Sequence, residues 1–181
     1  MDAKDYLSNY YEQYDEDGRL LSKHGKIEYI TTMKYIEKYL KPGMRVLEIG
    51  AATGRYSHAL AQKGYRVDAV ELIEHNIEIF KQNTLPSENV TITQGNAMDL
   101  SAFADDTYDI TLLLGPMYHL FTTEDKLKAL SEAIRVTKKG GIVFSAYCMG
   151  DASVLSYGFI RGEIYNIIEK CMLNTETFDT W

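Results

Sequence analysis

The sequence predicts a doubly wound α/β protein with a parallel sheet. Three observations carry that expectation. Five short apolar, β-branched runs recur, continuous rather than alternating, which suits strands buried on both faces. Segments of helical spacing or turn residues follow them, and strand, helix, strand, helix order implies right-handed crossovers onto one sheet. A glycine-bearing turn joins the first run to a helix, as in sheets that bind ligands beyond the carboxyl ends of their strands.

The elements follow in order. The first twenty residues are polar, tyrosine-rich and irregular. Ile27, Ile30, Met33, Ile36 and Leu40 mark a helix packing on the sheet, and Lys41-Pro42-Gly43-Met44 ends it. The strands are read at Arg45 to Ile49, Tyr65 to Leu72, Asn89 to Gln94, Asp109 to Leu114 and Gly141 to Ala146. Between them, Tyr56 to Lys63 is a helix stopped by Gly64, and Ile73, Ile77 and Phe80 share one face of the next. Thr122 with Asp125 resembles an N-cap and its reciprocal partner. That helix repeats Leu127, Leu130 and Ile134 on one face and ends at the cationic, glycine-terminated Lys138-Lys139-Gly140-Gly141. A last helix through Ile160, Ile164, Ile167 and Cys171 is weakened by Gly158 and Gly162. The whole of 1–181 reads as a single domain: an N-terminal segment and helix over 1–43, a ligand-binding core over 44–146, and a C-terminal helix and tail over 147–181.

Charge excludes some classes of function. The net charge is −7, and it sits at the ends: 1–20 carry six acids and two bases, 151–181 carry five and two, and the stretch between balances. No basic stripe exists to neutralise phosphates, which argues against a nucleic-acid surface or a membrane-surface role. The apolar runs are too short to span a bilayer, and the start is no secretory signal, so a cytoplasmic protein is expected. Cys148 and Cys171 have no histidine neighbour at ligand spacing and read as reduced, packing thiols; no metal is expected.

The most informative stretch is Val46 to Ser57. A G-x-G-x-x-G fingerprint would place a dinucleotide pyrophosphate on the helix N-terminus. Here the small residues fall at Gly50, Ala52 and Gly54, and Arg55 occupies the slot of the third glycine. Glu48, just ahead of the turn, would repel a pyrophosphate but suits the cationic amino-acid end of S-adenosylmethionine. Glu71, at the end of the second strand, is placed to accept both ribose hydroxyls of either cofactor. After the third strand, Gln94-Gly95-Asn96-Ala97-Met98 can hold an adenine edge, with Met98 over a ring face. After the fourth, Leu114-Gly115-Pro116-Met117-Tyr118-His119-Leu120 forms a turn carrying polar aromatics.

With these motifs in this order, residues 26–150 resemble the class I S-adenosylmethionine-dependent methyltransferases. More narrowly, the chain is similar to small bacterial members of unassigned substrate, with a segment like Tyr10-Tyr11-Glu12-Gln13-Tyr14-Asp15 and a helix like His24 to Tyr29. The resemblance implies that Glu48, Gly50, Ala51 and Gly54 surround the methionine part of the cofactor. It implies ribose at Glu71, adenosine against Leu72, adenine at Asn96, Ala97 and Met98, and Leu114 near the sulfonium. Ala52 departs from the usual middle glycine, and Asn96 stands where Asp is common, its amide oxygen still an acceptor.

The implied Rossmann-like sheet has the order 3-2-1-4-5 plus a hairpin of strands 7 and 6. Too little sequence follows Ala146 for that hairpin. A five-stranded sheet is therefore expected, left either by a C-terminally truncated chain or with another copy covering the edge of strand five as a homodimer. Methyl transfer needs a base only if the acceptor carries a proton. His119 is the candidate, with a histidine held by local backbone as the alternative. Tyr11, Tyr14, His24 and Tyr118 are candidates for an acceptor pocket, or for ordinary packing with a wet end. The expected function is methylation of an unidentified small molecule, with an incomplete domain that binds cofactor or partner without turnover as the alternative. A nicotinamide dehydrogenase is disfavoured by Glu48 and Arg55.

Overall fold

Continuous apolar runs become the three inner strands, which bury both faces, while the two edge strands stay half-exposed. The computed structural model describes residues 7, 11, 14, 16–147, 149, 151 and 154–166, with backbone alone at 17, 24 and 157. Two compact units divide the chain, Met1–Ala146 and Tyr147–Trp181.

In the first unit a helical turn α1 (Glu16–Arg19) leads to α2 (Lys23–Glu37), β1 (Arg45–Ile49), α3 (Arg55–Gln62), β2 (Arg66–Glu71) and α4 (Glu74–Asn83). Then follow β3 (Val90–Gln94), β4 (Tyr108–Leu113), a short 3₁₀ turn at Pro116–Tyr118, α5 (Thr123–Val136) and β5 (Thr137–Ser145). The strands form one parallel sheet in the order β3-β2-β1-β4-β5, as the resemblance implied. Among the described residues β5 has no strand on its outer side. No helix among the described residues is long and apolar enough to cross a membrane.

Two-residue periodicity sorts the sheet into two faces. Val46, Val67, Ile110 and Leu112 pack under α2 and α3 with Met33, Ile36, Tyr56 and Leu60. Leu47, Ile49, Val70 and Leu113 face the other way, under Ala129, Ala133 and Val136 of α5. Ile73, Ile77 and Phe80 are all buried, so the predicted face of α4 is the one used. Glu48 shares the Val46 face, which carries a carboxyl group into the α2–α3 side at the ligand end of the strand.

Four expectations need correction. First, Ile27 and Ile30 of α2 are 62% and 65% exposed. The buried stripe is instead Gly25, Met33 and Ile36 with Tyr29 and Leu40 half-buried, and Gly25 is required because a Cβ there would strike the carbonyl of Arg19. Second, α5 meets the sheet through Ala129, Ala133 and Val136, whereas Leu127 and Ile134 point outward. Small side chains allow a closer helix-to-sheet approach than leucines would. Third, α5 ends at Val136, not at the lysine-glycine run. The Thr137 hydroxyl donates to the Ala133 carbonyl at 2.6 Å and meets Thr111 at 2.7 Å, which closes the helix and opens the strand. Lys138 to Gly141 form a bulge within β5, where the register jumps from Tyr108–Thr137 to Ile110–Ile142. Fourth, α1 orders part of the segment read as irregular.

In the second unit a π-helical stretch spans Val154–Ile160, and a helical turn over residues 163–166 follows Gly162, which sits at φ +75°. The single helix expected through Ile160 and Ile164 is broken at that glycine. Ile167, Cys148 and Cys171 lie outside the described residues.

Candidate active site

The carboxyl ends of β1, β2 and β4 open onto a cavity of about 600 Å³. It lies where the sheet order runs one way from β1 to β2 and the other way to β4, the switch point at which doubly wound sheets leave a crevice.

The turn after β1 is built by hydrogen bonds and by glycine. The amides of Gly50 and Ala51 both donate to the Val70 carbonyl, at 2.8 and 3.0 Å, which ties the turn to β2. Gly50 sits at φ +73°, and a Cβ there would come within 2.6 Å of the Pro116 ring. A Cβ on Gly115 would in turn lie 3.2 Å from the Gly50 carbonyl, so the two loops interlock. Ala52, the departure from a glycine, takes the left-handed conformation at φ +49°, a strain of about 1 kcal/mol for a residue with a Cβ. Gly54 is the N-cap of α3 at φ +90°. It does not line the cavity; its missing side chain leaves room for Phe80 and for His58 Nε2.

Two carboxyl groups dominate the cavity floor. Glu48 is 2% exposed and accepts from the Ser57 hydroxyl. Burial, reinforced by the charge of Glu71, pushes its carboxyl up to about 8, against the bond from Ser57. Glu71 is buried as well, and burial raises it too. Three donors hold it: the Ala52 amide at 2.8 Å on Oε2, the Ile73 amide at 2.9 Å on Oε1, and the Asn76 side chain at 3.5 Å. The carboxylate thereby pins the β1 turn to the start of α4.

On the adenine side predicted from sequence, Leu72, Asn96, Ala97 and Met98 line the same cavity, as does Leu114 just past β4. The Asn96 Oδ1 accepts from the Met98 amide at 3.0 Å, an Asx-type turn that fixes this segment.

The 3₁₀ turn brings Tyr118 and His119 to the cavity, which Tyr11 and Tyr14 also line. The Tyr11 hydroxyl lies 2.9 Å from His119 Nε2, with the rings edge-on at 5.9 Å. Burial lowers the imidazole, so it is neutral near pH 7. The side chain of His24 lies outside the described residues.

Sequence reasoning missed the polar wall beside these groups: the charged Glu16, Arg19 and Glu28, with Thr32 and Asn76, and it did not place Arg55 on the cavity. Arg19 binds Glu16 at 2.7 Å and both oxygens of Glu28 at 2.9 and 3.1 Å. The i, i+3 spacing of Glu16 and Arg19 was a legible signal; the reach to Glu28 depends on how α1 meets α2. Among the described residues, no group of three His, Cys, Asp or Glu side chains could hold a metal ion.

Residues 46–141 match the model of the methyltransferase domain family. The demethylmenaquinone methyltransferase of Staphylococcus aureus strain MRSA252 is 31% identical over 142 residues, 76% of this chain and 56% of that protein. An S-adenosyl-L-methionine-dependent Diels-Alderase, iccD of Talaromyces variabilis, is 31% identical over 106 residues, 56% of this chain and 35% of that one. The chain thus spans between about a third and just over half the length of these curated relatives. Among solved structures, the PH0226 protein of Pyrococcus horikoshii OT3 shares the fold, with a TM-score of 0.69 at 24% identity, covering 82% of this chain and 69% of that one. The Haemonchus contortus phosphoethanolamine N-methyltransferase 1, solved with phosphoethanolamine and S-adenosylhomocysteine, shares it at a TM-score of 0.67 and 21% identity, over 83% of this chain and 33% of that one.

Proposed function

This chain belongs to the class I S-adenosylmethionine-dependent methyltransferase family, and on that premise we propose that it binds S-adenosylmethionine in the cavity over β1 and methylates a small molecule. One observation carries the reading. Two buried carboxyl groups, Glu48 and Glu71, end adjacent parallel strands and face one cavity, each with a different demand. Among the described residues Glu48 has a hydroxyl donor and no ion-pair partner, so a cationic ammonium is the partner that would ionise it. Glu71 is held in place by backbone donors while its Oε2 keeps room to accept from ribose hydroxyls. Asn96, Ala97 and Met98 would border the adenine, and Leu114 the reacting end.

When bound, the cofactor supplies a sulfonium methyl group for in-line transfer. The protein's own part is alignment and exclusion of water. His119, neutral through burial, is the base for an acceptor that carries a proton, and Tyr11 on its Nε2 gives way to the acceptor or relays that proton. Tyr14 and Tyr118 extend the same aromatic wall. An uncharged acceptor fits best, because Arg19 is already held by Glu16 and Glu28. The reading also includes a bacterial cytoplasmic setting, no nucleic-acid partner, and a second copy of the chain along β5, for which the open edge of that strand is the support. The domain is taken as one functional piece over 1–181.

Titration calorimetry with S-adenosylmethionine and S-adenosylhomocysteine tests the cofactor half; absence of binding to both sinks it. Tritium transfer from labelled cofactor tests the acceptor half. The demethylmenaquinone named for the staphylococcal relative is the first acceptor to assay.

A further inference from the structure

The cavity holds a phenol of the chain's own, docked on the residue that would act as base. The Tyr11 hydroxyl lies 2.9 Å from His119 Nε2, with the two rings edge-on at 75°. A neutral imidazole that takes a proton on Nε2 carries its own on Nδ1, and in that tautomer the Tyr11 hydroxyl is the donor. Both side chains border the cavity, and so do Leu7, Tyr14, Leu20, Tyr118 and Leu120, a lining of flat rings and branched apolar chains. Arg19, which also borders it, is held by Glu16 and Glu28.

We infer that the methyl acceptor is a phenol, a planar ring whose hydroxyl takes the place of Tyr11 on His119 Nε2 and is methylated on its oxygen. The inference rests on the cofactor reading above and names its acceptor class. Acidity selects among acceptors. A neutral imidazole is a useful base where the acceptor must lose a proton as it attacks. An amine attacks through its own lone pair, after losing its extra proton to water, and leaves Nε2 nothing to take. An alkanol hydroxyl resists, because its acidity is close to that of water, at about 15.7. A phenol, at about 10, is several powers of ten nearer to the range of an imidazole. The step balances in atoms and charge. The acceptor O–H bond breaks and its proton passes to Nε2, the oxygen bonds the methyl carbon, and the carbon–sulfur bond breaks with its electron pair left on sulfur. One positive charge leaves sulfur as one forms on the ring. Burial, which disfavours the imidazolium, therefore has no added charge to hold. The Tyr11–His119 pair shows that a phenol hydroxyl reaches this nitrogen at hydrogen-bonding distance. A phenolic acceptor must displace it, so Tyr11 competes for the same atom.

The test loads the full chain with S-adenosylhomocysteine and titrates β-naphthol, naphthylmethanol and naphthylmethylamine, which share one ring system and differ in the nucleophile. Calorimetry reads binding to the parent and to Tyr11→Phe, and labelled S-adenosylmethionine reads methyl transfer. β-Naphthol should bind about tenfold more tightly than the other two, and the labelled product should be its methyl ether. Tyr11→Phe keeps the ring and removes the competing hydroxyl. Its affinity for β-naphthol should therefore rise about three- to tenfold, the worth of one hydrogen bond. Unchanged affinity for S-adenosylhomocysteine shows that the variant is folded, and a Tyr11 that only packs would give no gain. Tighter binding or methylation of the amine or the alkanol, absence of the naphthyl ether, or no gain in Tyr11→Phe would each overturn the phenol assignment and leave the cofactor reading standing. Failure of the parent chain to bind S-adenosylhomocysteine would overturn both.

Discussion

Burial of Glu48 raises its carboxyl from 4.5 to about 8, so the folded chain keeps a proton there that the unfolded chain has released. The stabilisation linked to that proton is complete below 4.5 and is lost as pH rises through 8. Glu48→Gln keeps the shape without the ionisation. It should therefore be more stable than the parent by about 3–5 kcal/mol at pH 8, with the gap closing toward pH 4, in urea titrations at both. The same variant should bind S-adenosylhomocysteine more weakly, which would separate the group's cost to folding from its use. Glu71 is raised by burial as well, but it also ties loops together. Its carboxylate accepts the amides of Ala52 and Ile73, and Glu71→Ala would leave both donors unpaired at about 1–3 kcal/mol each. A fall of that size in the unfolding free energy from urea titration, with no ligand present, is the expected outcome. Glu71 was read from sequence for its placement toward ribose; its structural duty was invisible, because it depends on where the amides of two other loops end up.

Helix faces show where sequence reasoning stops. The strands were legible because apolar β-branched runs in a parallel sheet need no choice of face. The α4 face was legible too, since Ile73, Ile77 and Phe80 are its large apolar residues. In α2 and α5 the rule that large apolar residues face the core held for Met33, Ile36 and Val136 and failed for four others. Alanines at 129 and 133 and the glycine at 25 take the inner stripe, and Ile27, Ile30, Leu127 and Ile134 are left outside. Close approach decided the matter, and hydrophobic spacing does not encode it. Ala133→Leu should therefore destabilise the fold by about 1–3 kcal/mol through overpacking, whereas Leu127→Glu should change it by no more than about 0.5 kcal/mol. Thermal denaturation of the two variants side by side checks the assignment. The bulge at Lys138 to Gly141 was misread for a related reason: a lysine-glycine run can end a helix or loop out of a strand, and the Thr137 hydroxyl decides between them. At the site, the residues on strand ends and turns were found, and Arg19, Glu28 and Thr32 were not, because their entry depends on how α1 and α2 pack over β1.

At the scale of the molecule, the first unit combines a β5 edge that no strand covers among the described residues with exposed isoleucine and leucine side chains on two helices. Concentration-dependent self-association in sedimentation velocity is expected, and Leu127→Glu with Ile134→Lys should reduce it without loss of S-adenosylhomocysteine binding. A second property of the whole follows from the interlocked loops. A side chain on Gly50 would strike the Pro116 ring, and one on Gly115 would press on the Gly50 carbonyl. Gly50→Ala and Pro116→Ala should accordingly be non-additive. Removing the ring makes space for the added methyl, so the double variant should be less destabilised than the two single effects combined, by about 1–2 kcal/mol in a mutant cycle. The half of the cavity that would grip the cofactor and the half that would admit the acceptor share one seam without slack. A lineage that widened its acceptor range by changing the loop at 116 would loosen its hold on the cofactor with the same substitution, so drift on one side of the seam has to be answered on the other.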